Sequence, residues 1–209
     1  MRWDLLFDDL EARLDQEQRD EERALALEEE RLRLGRLTLR DRLDALARGT
    51  GDEHGATVRL ELRGGDVVDV RPLSFGRDWM NAVLHAGNGV SGQAGGLSGR
   101  ERQCIVPLAA IAAVLPTRAQ LEPSVAPVAG PATRLADRIG MPFVLRDLSR
   151  RRTPVHLTTD DGRAHGTLDR VARDHLDLAL HEPGSARRES EVRGYRIIPL
   201  ERVVLVAFG

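Results

Sequence analysis

The chain has 209 residues, 41% hydrophobic and 31% charged, with a formal net charge of −2. That is enough apolar content for the core of one large domain or two small ones. All 31 basic residues are arginine, which excludes a Walker-type phosphate lysine, a Schiff-base lysine and regulation by lysine acylation. The near-neutral charge excludes bulk attraction to nucleic acid or an anionic membrane.

Charge is uneven along the chain: residues 1–50 hold 10 Arg against 14 acids, and residues 134–209 hold 14 Arg against 11. The start, Met1-Arg2-Trp3-Asp4, turns acidic at once and has no secretory-signal pattern. The longest apolar runs, Ile105–Leu115 and Val203–Phe208, are too short to span a bilayer. Cys104 is the single cysteine, so no intrachain disulfide forms. These features predict a soluble, cytoplasmic protein with no membrane partner.

Residues 3–47 lack proline and are rich in Glu, Arg, Leu and Ala, which predicts helix. Trp3, Leu6, Phe7, Leu10 and Leu14 recur at three- and four-residue spacing as one apolar stripe. Nine polar residues, Asp15–Arg23, interrupt it before Leu25, Leu32, Leu39 and Leu46 resume at seven-residue intervals. The expectation is two helical pieces with a solvated middle and a bend or break at Gly35. This stripe either packs on the chain's own core or, if the helix does not fold back, is exposed and wants a partner helix or a second copy of itself, with Trp3, Leu6, Phe7, Leu10 and Leu14 as the candidate partner-binding residues.

After Gly49–Asp52, Val58–Arg63 alternates like a half-buried strand, Gly64-Gly65-Asp66 turns it, and Val67–Val70 begins its partner. A segment near Trp79–Leu84, a glycine-rich stretch at Gly87–Gly99, and apolar pieces at Ile105–Leu108 and Ile111–Leu115 follow. Pro116, Pro123, Pro127 and Pro131 mark residues 117–133 as a Pro/Ala linker. Then the pattern restarts. Residues 134–150 read as helix, Val155–Thr159 and Gly166–Val171 as strands around Asp160-Asp161-Gly162, and Leu176–Leu180 as another. Ile197–Leu200 and Val203–Phe208 close the chain. Ile105-Val106-Pro107-Leu108 followed by Ile111 and Val114 matches Ile197-Ile198-Pro199-Leu200 followed by Val203 and Val206. The chain therefore reads as a duplicated helix-plus-five-strand unit.

Residues 143–208, with the Asp161-Gly162 hairpin, the bent strand at Gly166 and the Ile-Pro-Leu closing pair, resemble the Sm-like small β-barrel family. The first copy resembles it more loosely. The overall layout also resembles a family of high-GC actinobacterial proteins. The resemblance implies an α+β fold: a helical arm (1–48), a first Sm-like barrel (56–116), the linker (117–133), and a helix plus second Sm-like barrel (134–209). Family members that bind RNA use an Asp-x-hydrophobic-x-Asn segment and a later Arg-Gly pair. Here Arg173-Asp174-His175-Leu176-Asp177 ends in Asp, Arg77-Asp78-Trp79-Met80-Asn81 lacks the later pair, and uridine-binding chemistry is not expected.

No catalytic motif stands out in the sequence. Gly89-Val90-Ser91-Gly92-Gln93 misses the nucleophile elbow, and Cys104 opens an apolar strand as a structural thiol. His156, His165, His175 and His181 lack the helical spacing of zinc motifs, so no metal or other cofactor is expected. Arg150, Arg151 and Arg152, with Arg187, Arg188, Arg193 and Arg196, form a candidate nucleic-acid-binding patch if they face one way. The reading that follows is a non-enzymatic adaptor acting through its N-terminal helix, with an RNA- or DNA-associated regulator as the alternative.

Overall fold

The computed structural model describes residues 3–49, 56–85, 102–127, 135–184 and 188–209, and for residues 3–10 and 12 it describes the helical backbone alone. The chain divides into two compact units, Met1–Leu39 and Arg40–Gly209.

The first unit is α1 (Trp3–Gly35), 33 residues of continuous helix and so about 50 Å long. The expected break over Asp15–Arg23 is absent. No proline or glycine occurs between residues 3 and 34, and charged pairs at three- and four-residue spacing carry the helix through the polar stretch. Arg19 reaches Asp15 at 3.7 Å, Arg23 reaches Asp20 at 3.3 Å, and the Arg33 fork holds Glu30 at 2.6 and 2.7 Å. The helix ends at Gly35, and the N–H groups of Arg36 and Leu37 fold back onto the carbonyls of Arg33 and Leu34.

The second unit begins with α2 (Leu39–Arg48), which buries Leu43, Ala45 and Leu46. Ten strands follow: β1 (Val58–Leu62), β2 (Val67–Phe75), β3 (Trp79–Leu84), β4 (Arg102–Pro107), β5 (Ile111–Val114), β6 (Pro154–Thr159), β7 (Gly162–Val171), β8 (His175–Leu180), β9 (Gly194–Pro199) and β10 (Val203–Phe208). The short α3 (Arg118–Leu121) and α4 (Met141–Arg150) separate the two sets of five. All ten strands form a single antiparallel sheet in the order β5-β1-β2-β3-β4-β10-β6-β7-β8-β9.

This corrects the expectation of two closed Sm-like barrels. β4 takes β10 as its second neighbour, with Ile105 opposite Val206, Cys104 opposite Ala207 and Gln103 opposite Phe208. The ladder therefore runs on from one set of five into the other. Alternation along a strand reveals a buried face; it does not reveal which strand satisfies the edge. Each set nevertheless follows the same internal order, β5-β1-β2-β3-β4 and β10-β6-β7-β8-β9.

Two apolar cores flank the junction. One gathers Leu43 and Leu46 of α2 with β1, β2 and Met80. The other gathers Leu145 and Leu148 of α4 with β6, β7 and β8. The junction strands serve both: Cys104, Val106, Val204 and Ala207 face the first core, whereas Ile105, Val203 and Val206 face the second. Apolar residues on both faces explain why β10 reads as an unbroken run, Val203–Phe208. Trp79 of β3 also joins the second core, and its indole N–H donates to the Ile139 carbonyl at 2.9 Å.

Two local features set the strand geometry. Gly64 and Gly65 both adopt positive φ, +90° and +85°, in the turn between β1 and β2. Gly166 lets β7 pass close to β8, since a Cβ there would lie 2.1 Å from the Ala179 carbonyl oxygen.

The described part of the linker is ordered rather than extended. Thr117 and Gln120 form a capping box at the start of α3, and the Gln120 amide donates to the Thr57 carbonyl at 3.0 Å. Ser124 is buried, where the Arg42 guanidinium donates to its hydroxyl at 2.8 Å. Residues 128–134 and the glycine-rich stretch Gly87–Gly99 lie outside the described residues. Among the described residues no helix is long and apolar enough to cross a membrane.

Candidate functional site

The continuity of α1 changes the meaning of its leucines. At 100° per residue, Leu14, Leu25 and Leu32 fall within about 20° of one another around the axis. All three are exposed, at 63%, 66% and 52%. Leu14 of the first stripe and Leu25 and Leu32 of the second therefore lie on one helix face, whereas Leu39 and Leu46, expected to continue the seven-residue row, belong to α2, where Leu46 is buried. Leu27 and Leu34 fall on the opposite side, where Gln16, Asp20 and Arg23 precede them and the line stops. Trp3, Leu6, Phe7 and Leu10 lie on the same helix, and their side chains are outside the described residues.

Three of the arginine candidates have a carboxylate partner close to them. Asp147 takes both Arg150 and Arg151 at the end of α4, the latter at 2.7 Å. Arg152 follows with φ +52°, the one positive-φ residue other than glycine among those described. Arg193 is paired with Glu182. Arg188 precedes a short 3-10 turn, and Arg187 lies outside the described residues. Arg196 of β9 and Arg202 line a shallow pocket of about 380 Å³ against Thr159, Asp161 and Gly162. There Arg202 is held by Asp161 at 2.7 Å.

The segment Arg77–Asn81, which the family resemblance singles out, is used within the fold. The Asp78 carboxylate accepts the Met141 N–H at 2.8 Å and so caps the start of α4. The Arg77 N–H bonds the Ile139 carbonyl at 2.9 Å.

A cluster that helical spacing rules could not find stands on the sheet. The turn at Asp160–Asp161 sets His156 of β6 directly opposite His165 of β7, and the His181 N–H reaches the His165 carbonyl at 3.4 Å. The ring centroids lie 4.3 Å apart for His156 and His165, and 5.1 Å apart for His165 and His181. Across the sheet the row continues through Ala207 and Cys104 to Ala82. The hairpin signal was legible; residues equidistant from a tight turn become lateral neighbours. His175 is elsewhere, hydrogen-bonded to Asp174 at 2.7 Å.

The three rings have different surroundings. His181 is buried, with Nδ1 3.1 Å from the Glu182 carbonyl and Nε2 2.9 Å from the Thr167 hydroxyl. A carbonyl only accepts, so Nδ1 donates to Glu182, whereas the Thr167 hydroxyl can either donate to Nε2 or accept from it. Burial pushes His165 down to about 4, helped by His156, His181 and Arg102, and both its ring nitrogens are buried without a partner. Burial and Arg102 also lower His156. These shifts favour the uncharged ring at His156 and His165. Among the described residues no group of three His, Cys, Asp or Glu side chains is placed to hold a metal ion. Cys104 is buried, which pushes its thiol up to about 12, far from the range of a reactive thiolate.

No protein family, no curated protein and no solved structure matches the chain.

Proposed function

We propose that the protein is a non-enzymatic cytoplasmic adaptor whose docking element is α1. One observation carries this reading: a helix about 50 Å long bears Leu14, Leu25 and Leu32 in a single exposed line. An amphipathic helix gains stability by laying such a line on a partner, and leucine anchors at these intervals suit another helix or a groove. The ten-stranded sheet serves as a rigid platform. The equal strand order of its two halves supports reading them as copies of one unit related to the Sm-like kind. The nucleic-acid alternative is weaker, because Asp147 and Glu182 occupy Arg150, Arg151 and Arg193.

The test is a photo-crosslinking side chain placed at position 25 of the full chain in its native cell. The reading expects discrete adducts at position 25, of protein mass, and none from the same group placed at position 196. Absence of adducts from positions 25 and 32 would overturn it.

A further inference from the structure

We propose that the partner of α1 is a basic amphipathic helix, whose apolar residues meet the leucine line and whose arginines or lysines run along both of its borders. The inference rests on the docking role proposed above and names the chemistry of the occupant.

The charges of α1 are segregated around its axis. The helix carries 12 acidic residues and 5 arginines. At 100° per residue, Glu17, Glu21 and Glu28 border the line of Leu14, Leu25 and Leu32 on one side, and Glu11, Glu22 and Glu29 border it on the other, all within about 75°. All six glutamates are exposed. Arg13, Arg19, Arg23, Arg31 and Arg33 lie about 90° or more from the same line. Arg19, Arg23 and Arg33 pair with Asp15, Asp20 and Glu30, none of which borders it. Along the borders themselves, Arg31 comes to 3.8 Å from Glu28 and the Gln18 amide donates to Glu22 at 3.1 Å. An apolar line thus runs between two rows of carboxylates.

That pattern selects the occupant. Charges that border an apolar seam set partner choice, because like charges facing across it are destabilising. A second α1, in either direction, would set glutamate against glutamate along both borders. Nucleic acid or an anionic membrane surface would meet the same repulsion. A helix with cations on both borders instead offers each glutamate row its complement. The leucines also set the spacing of the partner's apolar residues. They stand 11 and then 7 residues apart, so the line covers about 27 Å and takes a partner helix of about twenty residues.

The experiment uses the full chain and two synthetic helices of about twenty residues, each with leucines at those intervals. One carries arginine on both borders and the other glutamate. Fluorescence anisotropy is expected to show binding of the arginine probe only. Glu17→Arg with Glu21→Arg and Glu29→Arg should weaken that binding at least about tenfold and admit the glutamate probe. The matching Glu→Gln chain should weaken it less, with helix content by circular dichroism retained. Leu25→Asp with Leu32→Asp should abolish it. Equal binding of the two probes, no binding of the arginine probe, or its full retention by the charge or leucine variants would overturn the inference. In the cell, the segment crosslinked to position 25 is expected to carry arginine or lysine on both borders. An acidic segment, or α1 of a second copy, overturns the inference and leaves the docking reading standing. Absence of adducts overturns both.

Discussion

His165 is an imidazole pressed between two others and within the field of Arg102, with neither ring nitrogen bonded. Its folded pKa of about 4 is below the ordinary value of 6.5, so the fold prefers the neutral ring. Its contribution to stability is complete above pH 6.5 and is lost as pH falls from there toward about 4. The groups that share its surroundings are His156, His181 and Arg102. The urea midpoint is therefore expected to fall over this window in the wild type and to fall less steeply in His165→Gln. Equal slopes would show that His165 does not carry the effect. Gly166 makes a second residue-level case. Its close approach to the Ala179 carbonyl predicts that Gly166→Ala costs about 1–3 kcal/mol in a denaturant titration, and an unchanged midpoint would contradict the reported contact. The sequence marked Gly166 only through the family resemblance, as a bent strand; a close approach to Ala179 stands there instead, and the register shift of β7 falls between Leu168 and Arg170. The histidine cluster was missed because the spacing test applied to it belongs to helices.

Among the elements, β4 and β9 carry the same Ile-hydrophobic-Pro-Leu signature and have opposite fates. Ile105 is 1% exposed because β10 covers the outer edge of β4 and the second core packs on it. Ile197 is 73% exposed on β9, the last strand of the sheet. Ile105→Ala is therefore expected to cost about 2–5 kcal/mol, and Ile197→Ala less than about 0.5 kcal/mol. Equal losses in thermal or urea unfolding would mean that β9 is covered too. The sequence pattern located both strands and their turns, since alternation and the Pro-Leu corner are local signals. The pairing of β4 with β10 is long-range, and no local signal distinguishes it from closure within each half. For α1 the legible part was the stripe, and the misread part was the polar stretch. Asp15–Arg23 has no apolar face yet stays helical through its own ion pairs.

At the scale of the whole molecule, the shared junction makes the sheet unit one cooperative body. Because β4 and β10 each place residues in both cores, neither core can open without exposing apolar surface in the other. Asp78 adds a further tie, capping α4 from the turn between β2 and β3, and Arg163 holds Asp66 at 2.8 and 2.9 Å between the two hairpin tips. Leu43→Ala in the first core and Leu145→Ala in the second are each expected to cost about 2–5 kcal/mol. Both should lower one common transition. Two separated transitions in a calorimetric scan, with each variant shifting only one, would contradict the single unit.

The central claim is that the leucine line of α1, and not the arginines of β9 and its approach, makes the protein's interaction. It is tested most directly by parallel capture from nuclease-treated lysate with three tagged chains. The chains are the wild type, Leu25→Asp with Leu32→Asp, and Arg188→Glu with Arg193→Glu. Bound protein is expected to be lost from the leucine variant and retained by the arginine variant. Loss from the arginine variant with retention by the leucine variant would contradict it.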